Sequence, residues 1–299
     1  MEQKIKPRLI YFMWSLNNQE RLFSYFEAYI VKMLSEFFEV IVIKEDCDYK
    51  EICDKYNPDI TLFTSGISLD SARRPDIKNT SVYPDIPKIG LARADSFCSC
   101  RSVFLSDMEH WGVTNFFSTL NPIDYIAETP DNLFFYPSAV DTDIFKDYGE
   151  KKLIPVLFIG TRSKIYPWRR KIKEIVSDIY TSMLYRHWGY SEKAYSKMLF
   201  GTDYARLLNS AWFVPTCGTI GRYIILRFFE VPAVKSCLIT EKTPIIEACG
   251  FADMQNCIFT DGSDILDKLE YLLYENRDEL IKIIDSGYNL VQARHTIRH

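Results

Sequence analysis

Apolar and polar positions change period several times along the chain, and each change marks an element. Residues 8–14, RLIYFMW, form a dense β-branched and aromatic run that stops at Asn17-Asn18 and reads as a buried strand. Leu22, Phe26, Ile30, Met33 and Phe37 then recur at steps of three and four, one apolar stripe on a helix. Further strands are predicted at Glu39–Lys44, Asp59–Thr64, Lys88–Leu91, Asn115–Ser118 and Phe134–Tyr136, with helices around Tyr49–Tyr56 and Val103–His110. Strands alternating with helical patterns indicate βαβ units and a parallel sheet. The segment Ser65–Ile86 has no clear period and reads as a long loop, a lid or a mobile segment, on which Arg73 and Arg74 are expected to be solvated rather than engaged.

The polar, glycine-bearing stretch Lys146–Lys152, KDYGEKK, reads as a linker, and after it the order restarts. Leu153–Ile159 is a strand run closed by Gly160, followed by a helix over Trp168–Ile179 and a strand over Met183–Trp188. A short helix at Asp203–Asn209 precedes a strand at Ala211–Pro215. The run Cys217–Glu241 comes next. It opens on Gly218-Thr219-Ile220-Gly221, and Ile224, Ile225, Phe228 and Phe229 predict a helix that Pro232 ends or kinks. Cys237–Ile239 is a buried strand closing on Thr240 and Glu241. A strand at Ile258–Thr260 and two amphipathic helices, one carrying Ile265, Leu269 and Leu272 and the other Leu280, Ile283, Ile284 and Val291, finish the chain. The expected fold is α/β, with two Rossmann-like domains over residues 1–145 and 146–299 that face each other across a cleft.

Bulk properties narrow the function. A length of 299 residues suits two domains of about 150 each. A net charge of -4 argues against a nucleic-acid partner, which would need a basic footprint. No apolar run approaches the roughly 20 residues of a spanning helix, and the N-terminus lacks the apolar core of a signal peptide, so a cytoplasmic location is expected. The eight cysteines include no CxxC, and Cys98 with Cys100 lacks partner ligands, so they read as reduced small hydrophobes. Aromatics reach 15%, which means a bulky core, or tryptophans among Trp14, Trp111, Trp168, Trp188 and Trp212 that stack on a sugar.

Candidate chemistry gathers at loops that follow strands, where parallel sheets bind ligands. Gly218 and Gly221 at a helix start expose backbone N–H groups, and with the helix dipole they suit a phosphate. Arg222, Arg227, Glu230 and Glu241 cluster around the same unit, and a carboxylate a turn or two further on can accept from a ribose diol. Gly160, followed by Arg162, Lys164, Arg169 and Arg170, makes a second phosphate-facing turn. In the first half, Asn17, Asn18 and Glu20 read as a helix cap, and Asp95 between Arg93 and Arg101 is either an ion pair or a base at a strand's end. Asp141-Thr-Asp143 matches a cation-holding D-x-D pattern, as does Asp46-Cys-Asp48, but the pattern is common by chance.

PSAVDTDIF, VLFIGTRSKIYPWRR, GRYIILRFFEVPAVKSCLITE and the terminal stretch from Gly287 to ARHTIRH resemble the GT-B glycosyltransferases of the CgeB-like (spore maturation) group. The resemblance spans about residues 130–299 and implies sugar transfer from a nucleotide diphosphate donor to a carbohydrate or glycoconjugate hydroxyl, a hexosyl or pentosyl transfer. It implies that the second domain holds the donor, that the first holds the acceptor, and that the last helix is a candidate to pack back on the first domain. It further implies Glu230 on the ribose, with Arg227 and the Gly218–Gly221 backbone near the pyrophosphate. Arg162, Lys164 or Arg169 would neutralise the leaving nucleotide, with no metal or other cofactor. Many retaining members carry a glutamate where this chain has Arg222. Stereochemistry is therefore open, and an inverting reaction would need Asp95 or Glu20 as base. A non-catalytic nucleotide-binding protein is the alternative reading.

Overall fold

The computed structural model describes residues 5–16, 21–65, 72–92, 100–118, 132–135, 137, 139–160, 164–186, 197–218 and 224–299. The chain divides into two compact units, the second beginning at Pro137. Asp141–Phe145 thus lies in the second unit. There Val140 pairs with Thr296, and Phe145 packs edge-on against Tyr204.

In the first unit the main strands are β1 (Arg8–Phe12), β2 (Glu39–Ile43), β3 (Ile60–Ser65), β4 (Lys88–Ala92), β5 (Asn115–Ser118) and β6 (Leu133–Phe135). They form a parallel six-stranded sheet in the order β6-β5-β4-β3-β1-β2. Leu9, Ile10, Tyr11 and Phe12 are all buried, which requires cover on both sheet faces and explains the unbroken apolar run. Helices α1 (Arg21–Ser35), α2 (Tyr49–Tyr56) and α3 (Cys100–Trp111) connect them.

The segment read as a long loop is, over residues 72–86, bound to the body of this unit. Ala72–Arg73 pairs with Ser15–Leu16 and Ile77–Lys78 with Cys47–Asp48, while Arg73 bridges to Asp46 and Tyr83 bonds Asp54. Two-residue strands are too short to leave a period in the sequence.

The second unit contains β7 (Ile154–Gly160), β8 (Ser182–Arg186), β9 (Ala211–Pro215), β10 (Cys237–Thr240) and β11 (Ile258–Phe259). They form a parallel five-stranded sheet in the order β8-β7-β9-β10-β11. Among the described residues its helices are α4 (Pro167–Ser177), α5 (Gly201–Asn209), α6 (Arg227–Ala233), α7 (Pro244–Ala248), α8 (Ile265–Glu270) and α9 (Arg277–Arg294), with a π-helical turn at Tyr271–Glu275. Val156, Phe213, Cys237, Ile239 and Ile258 line one sheet face against Ile172, Val176, Ile265, Leu269, Leu280 and Ile283. Each such side chain contributes about 1.5–3 kcal/mol on burial. Helix α9 packs on α6 and β10.

At the amino edge of this sheet a polar knot fixes the strand starts. Asn209 Oδ1 accepts from Tyr148 N at 3.1 Å and Glu150 N at 3.0 Å, and its Nδ2 donates to Val234 O at 2.6 Å. Lys152 Nζ reaches the carbonyls of Asn209 (2.6 Å), Ala211 (3.0 Å) and Lys235, and burial pushes its ammonium pKa down to about 8.

One predicted boundary is corrected. The helix expected from the spacing of Ile224 and Ile225 begins only at Arg227, and Ile224 is buried ahead of it. Pro232 sits in the last turn, and the chain leaves through Lys235 at φ 53°.

Candidate functional site

Strand order reverses between β7 and β9, because the chain steps from β7 outward to β8 and then returns to the other side of β7. A crevice at the carboxyl ends of such neighbours is where open α/β sheets bind ligands. Two arginines occupy this crevice. Arg227, the first residue of α6, sends Nη1 to Ile159 O at the end of β7, 2.9 Å away. Arg169, on the buried face of α4, sends Nη2 to Cys217 O just beyond β9 at 3.2 Å, with its guanidinium 4.5 Å from the centre of the Tyr166 ring. Each arginine stands on the helix that follows one strand and grips the carbonyl at the end of the other.

Gly160 makes the crossing possible. Its φ of +103° is a conformation that L side chains rarely adopt. A Cβ there would also lie 2.8 Å from Arg227 Nη1 and 2.9 Å from Arg169 Nη1. A small hollow on the β8 side of Gly160 is lined in part by Arg169, Lys173 and Tyr185.

Glu230 follows Arg227 by one helical turn. Tyr204, from α5, stands between them: Arg227 Nε donates to its phenol oxygen at 2.9 Å, and that hydroxyl lies 3.4 Å from Glu230 Oε2. Burial pushes the Glu230 carboxyl up to about 7, against the pull of Arg227 and of the Tyr204 hydrogen bond. Burial likewise raises the Tyr204 phenol to about 12. Burial and the neighbouring Arg227 both lower the Arg169 pKa. For Arg227, burial opposes the charge, but Tyr204 and Glu230 outweigh it and the pKa is raised. Two cations held this close by carbonyls and a ring favour an anionic ligand that neutralises both.

Of the residues singled out in the sequence, Gly160, Arg169, Arg227 and Glu230 come together here. Gly218 is buried next to Cys217, whose carbonyl holds Arg169. Glu241 follows β10 on the same edge: burial raises the Cys217 thiol pKa, Arg169 opposes the rise and Glu241 adds to it. Lys164 is exposed in the turn before α4. Arg162, Thr219, Gly221, Arg222, Glu20 and Asp95 lie outside the described residues, as does Trp188. Trp14 and Trp111 are core residues, and Trp168 and Trp212 pack against the second core.

Asp141 is buried and closes a turn, accepting from Asp143 N at 3.0 Å, while its carbonyl accepts from Phe145 N at 2.7 Å. Among the described residues no group of three or more His, Cys, Asp or Glu is placed to hold a metal.

Tyr204 and Tyr166 were not found by sequence reasoning, since an isolated tyrosine carries no local signal. His295 lies in the terminal stretch that carries the family resemblance, with no role assigned to it from sequence. Its ring stacks on Phe229 at 4.5 Å, next to Glu230, and its Nε2 is 2.8 Å from Cys249 O. In the first unit, Ser65 at the end of β3 donates to Asp107, and Arg74 pairs with the other carboxylate oxygen. Arg74 is thus engaged rather than solvated.

A family model described as glycosyl transferase-like matches residues 162–299, a stretch that begins just after Gly160 and includes Arg169 on α4 and Arg227 and Glu230 on α6. No curated protein sequence compared with the chain matches it. Among solved structures, a glycosyltransferase from Rickettsia africae ESF-5 superposes with a TM-score of 0.62 at 12% identity, covering 98% of this chain and 95% of that one. Sucrose-phosphate synthase from Thermosynechococcus elongatus gives 0.63 at 8% identity, covering 97% and 96%. Anabaena HepE in complex with UDP and glucose gives 0.61 at 9% identity, covering 98% and 96%. The α/β architecture with parallel sheets is that of the GT-B glycosyltransferases, over nearly the whole chain. No helix among the described residues is long and apolar enough to cross a membrane.

Proposed function

We propose that this chain is a glycosyltransferase that takes a nucleotide-diphosphate sugar at the carboxyl edge of its second sheet. One observation carries the reading: Arg169 and Arg227 cross around Gly160 with Glu230 one turn away. A diphosphate fits the paired guanidiniums, and the half-buried carboxylate suits the two hydroxyls of a ribose. The family match over Arg169, Arg227 and Glu230 and the UDP-bound state of Anabaena HepE support this choice and make UDP the first nucleotide to try.

In this mechanism the guanidiniums take up the negative charge that grows on the departing diphosphate. They do so without a metal, since two fixed cations already face the leaving group. Arg162, Lys164 and the Gly218–Gly221 backbone, with Thr219 and Arg222, would complete the phosphate shell. The acceptor is a carbohydrate or glycoconjugate hydroxyl held by the first domain, where Asp95 or Glu20 would serve as base if the reaction inverts. A place among CgeB-like enzymes, a cytoplasmic location, and hexosyl or pentosyl transfer belong to the same proposal.

Hydrolysis of UDP-, GDP- and CMP-sugars tests it. Turnover with one donor is expected, unaffected by EDTA, and reduced about 10²–10³-fold in Arg227→Ala. Glu230→Ala should chiefly raise the donor KM. Nucleotide binding with no turnover of any donor would leave a binding protein instead.

A further inference from the structure

We propose that Tyr204 is the positioning residue of the donor site, a spacer that keeps Arg227 and Glu230 from closing on each other and so leaves both open to a nucleoside diphosphate. The inference rests on the function proposed above.

Opposite charges three residues apart on one helix ordinarily pair directly. Arg227 and Glu230 have that spacing on α6 and form no ion pair; the phenol oxygen of Tyr204 lies between them instead. Packing sets its position. Helix α5 is held at its end by Asn209, and the Tyr204 ring meets Phe145 edge-on with centroids 6.0 Å apart.

Proton bookkeeping gives the bridge a direction. Arg227 Nε can only donate, so the phenol oxygen accepts there and its own proton points at Glu230 Oε2. Among the described residues, Glu230 Oε1 and Arg227 Nη2 then have no hydrogen-bond partner. These are the two atoms a ribose hydroxyl and a phosphate oxygen would take. Among the described residues, the ionisable groups around the carboxylate are Arg227 and Tyr204, with Arg169 and Tyr166 beyond Arg227 and His295 behind Phe229.

Replacing the phenol with Phe keeps the ring packing and removes the spacer. Arg227 and Glu230 then pair directly, which costs ligand affinity without costing fold stability. A residue that merely packs would show the opposite pattern.

The test is calorimetric titration of UDP and GDP into the full chain between roughly pH 5 and 9, for wild type and Tyr204→Phe, with melting temperatures in parallel. Tyr204→Phe is expected to bind about tenfold more weakly, a loss on the scale of one hydrogen-bonded bridge. Its melting temperature should be equal or higher, and the acid limb of its binding profile should move to lower pH, because direct pairing with Arg227 favours the carboxylate. In a Glu230→Gln background the same change should cost little further affinity, since no ion pair can form. Wild-type affinity and an unmoved acid limb in Tyr204→Phe would overturn the proposal and leave the proposed function standing. If wild type binds neither UDP nor GDP, the proposed function fails, and this inference with it.

Discussion

Arg169 and Arg227 exchange anchors across the switch point: Arg227 holds the last carbonyl but one of β7, and Arg169 the carbonyl two residues past β9. The two side chains thereby tie the ends of neighbouring strands together at the carboxyl edge. A sheet edge held this way is preorganised for an anion, because neither of these two guanidiniums has to be ordered when the ligand arrives.

Gly160→Ala should disturb both arginines at once. The added methyl meets Arg227 Nη1 and Arg169 Nη1 at under 3.0 Å, in a backbone conformation alanine rarely adopts. A loss of about 1–3 kcal/mol of stability is expected from the strained backbone, with a larger proportional loss of UDP affinity. Denaturant melts and titration of the purified variant measure the two effects.

Glu230 predicts a pH dependence with a definite sign. Its folded pKa, about 7, lies above the ordinary 4.5, so the folded state holds the proton more tightly than the unfolded chain. The stability this contributes is present below about 4.5 and lost as pH rises through about 7. Glu230→Gln removes that dependence. The melting-temperature gap between variant and wild type should shift in the variant's favour between pH 5 and pH 8.

Asn209→Ala strikes the opposite edge of the sheet. It leaves the N–H groups of Tyr148 and Glu150 and the carbonyl of Val234 without their partner, at a cost of about 2–4 kcal/mol. Nucleotide affinity of the folded protein should fall by less than in Arg227→Ala, since Asn209 bears on the site only through α5. Chemical denaturation with and without UDP separates stability from binding.

Gly287→Ala sets two effects against each other. Alanine is favoured inside a helix by about 1 kcal/mol. Here, though, its Cβ would stand 2.6 Å from the backbone oxygen of Asn256, in a loop held by Asn256 bonds to Gly250 O and Ala252 N. The clash wins, and a net loss of about 1–3 kcal/mol is expected by overpacking. A gain in melting temperature would show that α9 can move.

Much of this was legible in the sequence, for identifiable reasons. Strands such as Arg8–Phe12 and Ile154–Gly160 are covered on both faces, so they appear as unbroken apolar runs between helical stripes. Arg227 and Glu230 share a helical turn, and that spacing is local. The crossing of Arg169 and Arg227 is not local, since each reaches the end of a strand that is its neighbour only in space. Tyr204 reaches the site from a third helix. The start of α6 was misread because Ile224 and Ile225 are apolar for packing ahead of the helix, and burial alone does not distinguish a turn from a helix. Ala72–Arg73 and Ile77–Lys78 are paired through backbone, which leaves no pattern in side-chain type.

The central claim is that the diphosphate lies between Arg169 and Arg227, beside Gly160, with the ribose on Glu230. A crystal structure of the protein soaked with UDP or GDP tests it most directly. The account predicts phosphate oxygens within hydrogen-bonding distance of Arg227 and a ribose hydroxyl on the Glu230 carboxylate. A nucleotide bound elsewhere, with Arg227 and Glu230 untouched, would contradict it.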